Sequence, residues 1–64
     1  MTIDVDFLKS LVGKEICIIF ESGDDITGDL EYATDEYAII KSGSKRGMVF
    51  LATAEMILEG PVKW

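Results

Sequence analysis

The sequence predicts a mostly β domain in which a short N-terminal α-helix precedes a strongly bent, five-stranded antiparallel sheet. Three observations lead there. From Asp25 to Tyr32 polar and apolar residues alternate strictly, the period-two pattern of a strand with one buried and one solvated face. Ser22-Gly23-Asp24-Asp25 and Ser42-Gly43-Ser44 are turn clusters that divide the rest of the chain into strand-length pieces. Helical spacing of apolar residues occurs once, near the N-terminus.

The helix is expected around Phe7, Leu8, Leu11 and Val12, with Asp4 capping its first turn and Gly13 closing its end. At about two turns it is too short to stand alone in water and has to pack on the sheet. The first strand is rich in β-branched residues and runs from Glu15 to Glu21, with Ile16, Ile18 and Phe20 on one side and Cys17 and Ile19 on the other. In the second strand Ile26, Gly28, Leu30 and Tyr32 face inward, and Asp25, Thr27, Asp29 and Glu31 face water. A glycine on the inward face of a strand interior marks a sharp bend or the close approach of another backbone, and Gly28 is such a residue. Thr34-Asp35-Glu36 connects to a third strand, Tyr37 to Lys41, and the Ser42-Gly43-Ser44 loop follows with Lys41, Lys45 and Arg46 around it. The last two strands are Gly47 to Ala52 and Glu55 to Leu58.

With 64 residues the chain has room for one domain, spanning residues 1–64. A domain of this size buries only roughly 60% of the surface its unfolded chain exposes, so it needs a further stabilising device. Cys17 is the only cysteine and there is no histidine, which excludes an internal disulfide and argues against zinc. No metal or cofactor is expected. Self-association is the device that remains. The longest uninterrupted apolar run, Ile16 to Phe20, is far short of a membrane span. Met1-Thr2-Ile3-Asp4 lacks the basic and apolar regions of a secretion signal, and a single thiol suits a reducing compartment, so a cytoplasmic location is expected.

The formal net charge is −6, from 12 acidic and 6 basic residues, which is not the balance of an ordinary nucleic-acid binder. The cations are unevenly placed: Lys41, Lys45 and Arg46 fall close together in the sequence. The last two strands, by contrast, are apolar on both faces through Met48, Val49, Phe50, Leu51 and Met56, Ile57, Leu58. Soluble monomers guard an edge strand with lysines, prolines or bulges, and none is found in these runs. These seven residues are the expected contacts with a neighbouring subunit; the alternative cover is the N-terminal helix or the C-terminal tail.

Leu11, Gly13-Lys14, Ile16, Ile18, Phe20, Gly23, Gly28 and Leu30, then Tyr37, Ile39-Ile40, Gly47-Met48-Val49-Phe50-Leu51 and Met56-Ile57-Leu58, form a pattern that resembles the Sm/LSm family, Hfq-type RNA chaperones included. The resemblance spans about Phe7 to Gly60. It implies an Sm-like fold of the SH3-like barrel type, a homo-oligomeric ring of about five to seven subunits with every edge closed by a neighbour, and binding of single-stranded RNA. The family's aspartate, stacking residue and asparagine fall on Thr34, Tyr37 and Ala38, and its Arg-Gly pair on Ala52-Thr53. The stacking role survives in Tyr37, whereas Ala38 lacks the asparagine's donor and acceptor and the arginine is missing.

Thr34, Tyr37, Lys41, Lys45, Arg46 and Thr53 are therefore the candidate nucleic-acid contacts. Any base offers a face for Tyr37 to stack on, and the three cations would neutralise phosphate, repeated around a ring. The plainer readings are a tyrosine covering the sheet and a solvated hairpin. Asp24, Asp25, Asp29, Glu31, Asp35 and Glu36 lack calcium-loop spacing and read as a solvated face. Cys17 has no histidine to activate it and reads as packing. Trp64 reads either as an interface cap or as a free end. Altogether a non-enzymatic ring subunit is expected, and the resemblance implies that it binds single-stranded nucleic acid, RNA by family inference, weakly, with salt sensitivity and little sequence preference. The rivals are a ring-shaped protein–protein adaptor without nucleic-acid binding, and a monomeric SH3-like barrel within a larger complex.

Overall fold

A computed structural model describes residues 4–60, so Trp64 lies outside the described residues. The helix α1 covers Val5–Ser10, and Asp4 caps it as expected: its side chain accepts from the Phe7 N–H at 3.1 Å. Six residues supply too few internal hydrogen bonds for stability. The helix is held by Leu8 and Leu11, both buried in the core. Phe7 and Val12, expected on the same apolar face, remain about half exposed. The reason is that the helix stops at Ser10 and the chain turns away through Gly13, whose φ of 91° suits glycine. The Gly13 N–H donates to the Leu30 carbonyl at 2.8 Å, and the Leu30 N–H donates to the Lys14 carbonyl at 2.9 Å, tying this turn to the sheet.

Five strands follow: β1 Glu15–Phe20, β2 Asp25–Ala33, β3 Tyr37–Ser42, β4 Lys45–Phe50 and β5 Ala54–Glu59. They form one antiparallel sheet in the order β4-β3-β2-β1-β5. The protein is thus mostly β, with one short helix. β4 and β5 lie at the two margins, although only Leu51, Ala52 and Thr53 separate them in sequence. One face carries the core of Ile16, Ile18, Leu30, Ala33, Ala38 and Ile40, covered by Leu8 and Leu11 and closed by Leu51 and Ala54. Gly28 is buried, and a Cβ there would lie 2.5 Å from Ile40 Cγ2 and 2.7 Å from the Lys41 carbonyl oxygen. The close approach expected at this glycine is therefore real. No helix among the described residues is long and apolar enough to cross a membrane.

Three local expectations are corrected. Tyr32 does not face inward: the β2–β3 register slips between Leu30 and Tyr32, so that Leu30 pairs with Ile40 and Tyr32 with Ile39. The extra residue, Glu31, forms a bulge that reverses the alternation, exposing Tyr32 and burying Ala33. Lys45 and Arg46 are not loop residues. Ser42 pairs with Lys45 and Lys41 with Arg46, leaving a two-residue turn whose first member, Gly43, has a φ of 64°, the conformation a type II′ hairpin assigns to glycine. Both final strands accordingly start earlier than Gly47 and Glu55.

Candidate nucleic-acid interface

Alternation places the side chains of Tyr37, Ile39 and Lys41 on the sheet face opposite the core, beside Phe50, Met48 and Arg46 of β4 and Tyr32 of β2. The ring centroids of Tyr32 and Tyr37 are 6.2 Å apart at an interplanar angle of 44°, a tilted aromatic pair, and Tyr37 is also the register partner of Phe50. Tyr32 is 54% exposed and Phe50 69% exposed, so this cluster presents ring surface to solvent. Of the three rings, only Tyr37 was identifiable from sequence as a stacking residue. Tyr32 joins it through the bulge, and Phe50 through the tight β3–β4 register.

Thr34 positions this end of the site. Its Oγ1 accepts from the N–H groups of Glu36 and Tyr37, both at 3.1 Å, and its own N–H donates to the Tyr37 carbonyl at 2.8 Å. The hydroxyl is spent on folding the β2–β3 connection, so Thr34 sets where Tyr37 stands. Thr53 sits in the β4–β5 turn, where its carbonyl accepts from the Glu21 N–H at 2.9 Å. The same turn is fastened beside Tyr37 by the Leu51 N–H, which donates to the Glu36 carbonyl at 2.9 Å.

The cations stand elsewhere. Lys41 and Arg46 face each other near the tip of the β3–β4 hairpin, with Lys45 opposite Ser42. Lys41 lies four positions along β3 from Tyr37, about 13 Å at the usual rise of a strand. Arg46 Nε is 2.6 Å from Glu31 Oε1, and Lys41 has Asp29 as its register partner on β2. Phosphate attraction at this hairpin is therefore weaker than a count of three positive charges implies. The structure brings Thr34, Tyr37 and the turn holding Thr53 together, and sets Lys41, Lys45 and Arg46 apart from them.

The seven residues expected at a subunit interface divide by face. Met48, Phe50 and Met56 are exposed. Val49 and Ile57 pack on the core of their own chain, and Leu58 is half-buried as the register partner of Cys17. Leu51 is 3% exposed and belongs to that core, because the chain leaves β4 there and turns the side chain inward. Cys17 is buried and free, as its packing role requires. No group of three or more metal-ligating side chains is present among the described residues. No protein-family model matches the chain, and no curated protein shows significant similarity to it.

Proposed function

We propose that the chain is an Sm-like module that assembles edge to edge with copies of itself into a ring and binds single-stranded nucleic acid, RNA by its resemblance, through base stacking. The observation that carries the binding reading is the aromatic cluster on the face opposite the core, in which Tyr32 and Phe50 are exposed and Tyr37 half-buried between them. Stacking on such rings is worth about 1–3 kcal/mol per base and tolerates any sequence. With the cations remote and partly paired, binding is weak, salt-sensitive and poorly sequence-specific.

The strongly bent sheet of that fold is supported by chain length. In a flat sheet β4 and β5 would stand about 19 Å apart, four strand spacings of roughly 4.8 Å. Phe50 and Ala54 are four residues apart, a reach of about 14 Å at full extension. A curled sheet would bring its margins within that reach. Edge pairing is supported by β4 and β5 being the two marginal strands, each presenting a row of backbone groups that a neighbouring copy would satisfy.

The test is fluorescence anisotropy of short U-rich, A-rich and DNA oligomers at low salt. Micromolar binding is expected, reduced by Tyr37→Ala and Tyr32→Ala and made less salt-dependent by a Lys41/Lys45/Arg46→Ala triple variant. A second reading, a protein–protein adaptor of the same ring form, is favoured by the exposure of Met48 beside Phe50 on a chain of net charge −6. Absence of oligonucleotide binding even at low salt selects it.

A further inference from the structure

The β2 bulge puts an acid where the nucleic-acid reading least wants one. Glu31 and Tyr32 both belong to the segment opposite Ile39, and the Glu31 carboxylate reaches past β3 to Arg46 on β4. This ion pair runs across the outward face from the bulge beside Tyr32 to Arg46, which stands opposite Lys41 at the hairpin end. Arg46 shares a strand and a face with Met48 and Phe50, about 13 Å along β4 from the Phe50 ring position, so it would meet the backbone of a strand that runs from those rings toward the hairpin. Its Nε is already held at 2.6 Å.

Stability does not account for the pair. The side chains of Arg46 and Glu31 are 65% and 32% exposed, and ion pairs that open to water contribute little to folding. Its larger consequence falls on any polyanion that approaches. A phosphate has to displace a carboxylate already in place, and it meets a negative charge where a site built for backbone would offer a positive one. A base needs only the ring faces. Duplex offers phosphates with its base faces stacked away, whereas a single strand offers both.

Resting on the nucleic-acid reading above, the geometry points to Glu31 as a selectivity residue that acts through Arg46: it suppresses backbone-driven binding, so that unpaired bases are accepted and duplex is refused. The residue that tunes the site is then an acid, set against the site's own arginine.

The test compares the wild-type chain with Glu31→Gln on a fluorescein-labelled 12-nucleotide RNA and on the same strand annealed to its complement, over a salt series. Wild type is expected to favour the single strand. Glu31→Gln is expected to gain about two- to fivefold on duplex, the range a freed surface charge supplies. It should also steepen the dependence of log affinity on log salt by roughly 0.7–0.9, one added phosphate contact. A Glu31→Gln/Arg46→Gln double variant should return to the wild-type slope or below, which a purely structural role for Glu31 would not produce; thermal melts establish that each variant is folded. Single-strand binding by wild type with unchanged slope and selectivity in Glu31→Gln overturns the role of Glu31 alone. No binding by either protein at the lowest salt overturns the stacking reading together with it.

Discussion

Gly28→Ala is the substitution whose cost is most fully set by the geometry. The added methyl carbon would sit 2.5 Å from Ile40 Cγ2 and 2.7 Å from the Lys41 carbonyl oxygen. Comfortable carbon contacts lie at about 3.5–4.0 Å, so the overlap with Ile40 Cγ2 is about 1 Å, and the approach to the Lys41 oxygen is also closer than Cβ atoms adopt. Neither neighbour has an easy escape. Ile40 is a buried β-branched side chain with a stiff χ1, and the Lys41 oxygen moves only if β2 and β3 separate. Overpacking of this kind costs about 1–3 kcal/mol, and alanine returns about 0.4–1 kcal/mol by restricting the unfolded chain. The net expectation is a loss of about 1–2 kcal/mol. At about 4–8 °C per kcal/mol in a domain this small, the melting temperature falls by roughly 5–15 °C. The assay is thermal and urea denaturation at one fixed protomer concentration, because assembly makes stability concentration-dependent. Gly47→Ala is the internal control: Gly47 pairs with the same Ile40 from β4, yet its Cβ would meet nothing within 4 Å. It should lie within about 0.5 kcal/mol of wild type. A Gly28→Ala protein as stable as wild type, or a Gly47→Ala protein damaged equally, would refute the reasoning.

Three other perturbations probe the loop, the thiol and the edges. Thr34→Ala removes the acceptor of two backbone N–H groups and should cost about 1 kcal/mol while lowering oligonucleotide affinity through a looser Tyr37, with Thr34→Ser restoring both; a loss of affinity that Ser leaves unrepaired would show the hydroxyl is not the cause. Cys17 is buried, so it should react with a thiol reagent only as fast as the protein opens, and immediate modification in native buffer would contradict its placement. Glu59→Lys should reduce the assembled mass measured by light scattering, and combining it with Lys45→Glu should restore that mass; a wild-type protomer that stays single at every concentration refutes the edge pairing itself.

Several elements were legible because a single residue type carried them. Asp4 as a cap, Gly13 as the helix exit and Gly28 as a close-approach position each follow from what only that side chain, or the lack of one, permits. The alternation of β2 was legible as far as Leu30 and misled beyond it. Bulges are often marked by glycine, but this one is formed by Glu31, flanked by Leu30 and Tyr32, and nothing in that triplet announces it. Ser42-Gly43-Ser44 read as a loop because the composition of a turn does not state its register, and one residue of register decided whether Lys45 and Arg46 lay in loop or strand. The candidate site suffered accordingly. Tyr37 could be picked out alone, whereas the Glu31–Arg46 pair joins strands that are not neighbours in the sheet, a relation no local pattern encodes.

The two marginal strands of the described sheet also bear on what kind of assembly the proposed edge pairing would build. β4 begins with Lys45 and Arg46, whereas β5 carries Glu55 and Glu59. Two copies joined β5 to β5 in antiparallel fashion would set acid near acid at both ends of the new ladder, an unfavourable arrangement across strands. Antiparallel pairing of β4 with β5 of a neighbouring copy instead brings the Lys45–Arg46 end of one strand beside the Glu59 end of the other. Lys14, the present partner of Glu59 at 3.7 Å, is exposed and gives it up at little cost. A contact between two different edges is heterologous: it leaves each new copy with one edge still open, so the chain of contacts ends only on closing. Charge on the margins would thus favour head-to-tail pairing over a two-fold β5–β5 dimer, and with it the ring proposed above.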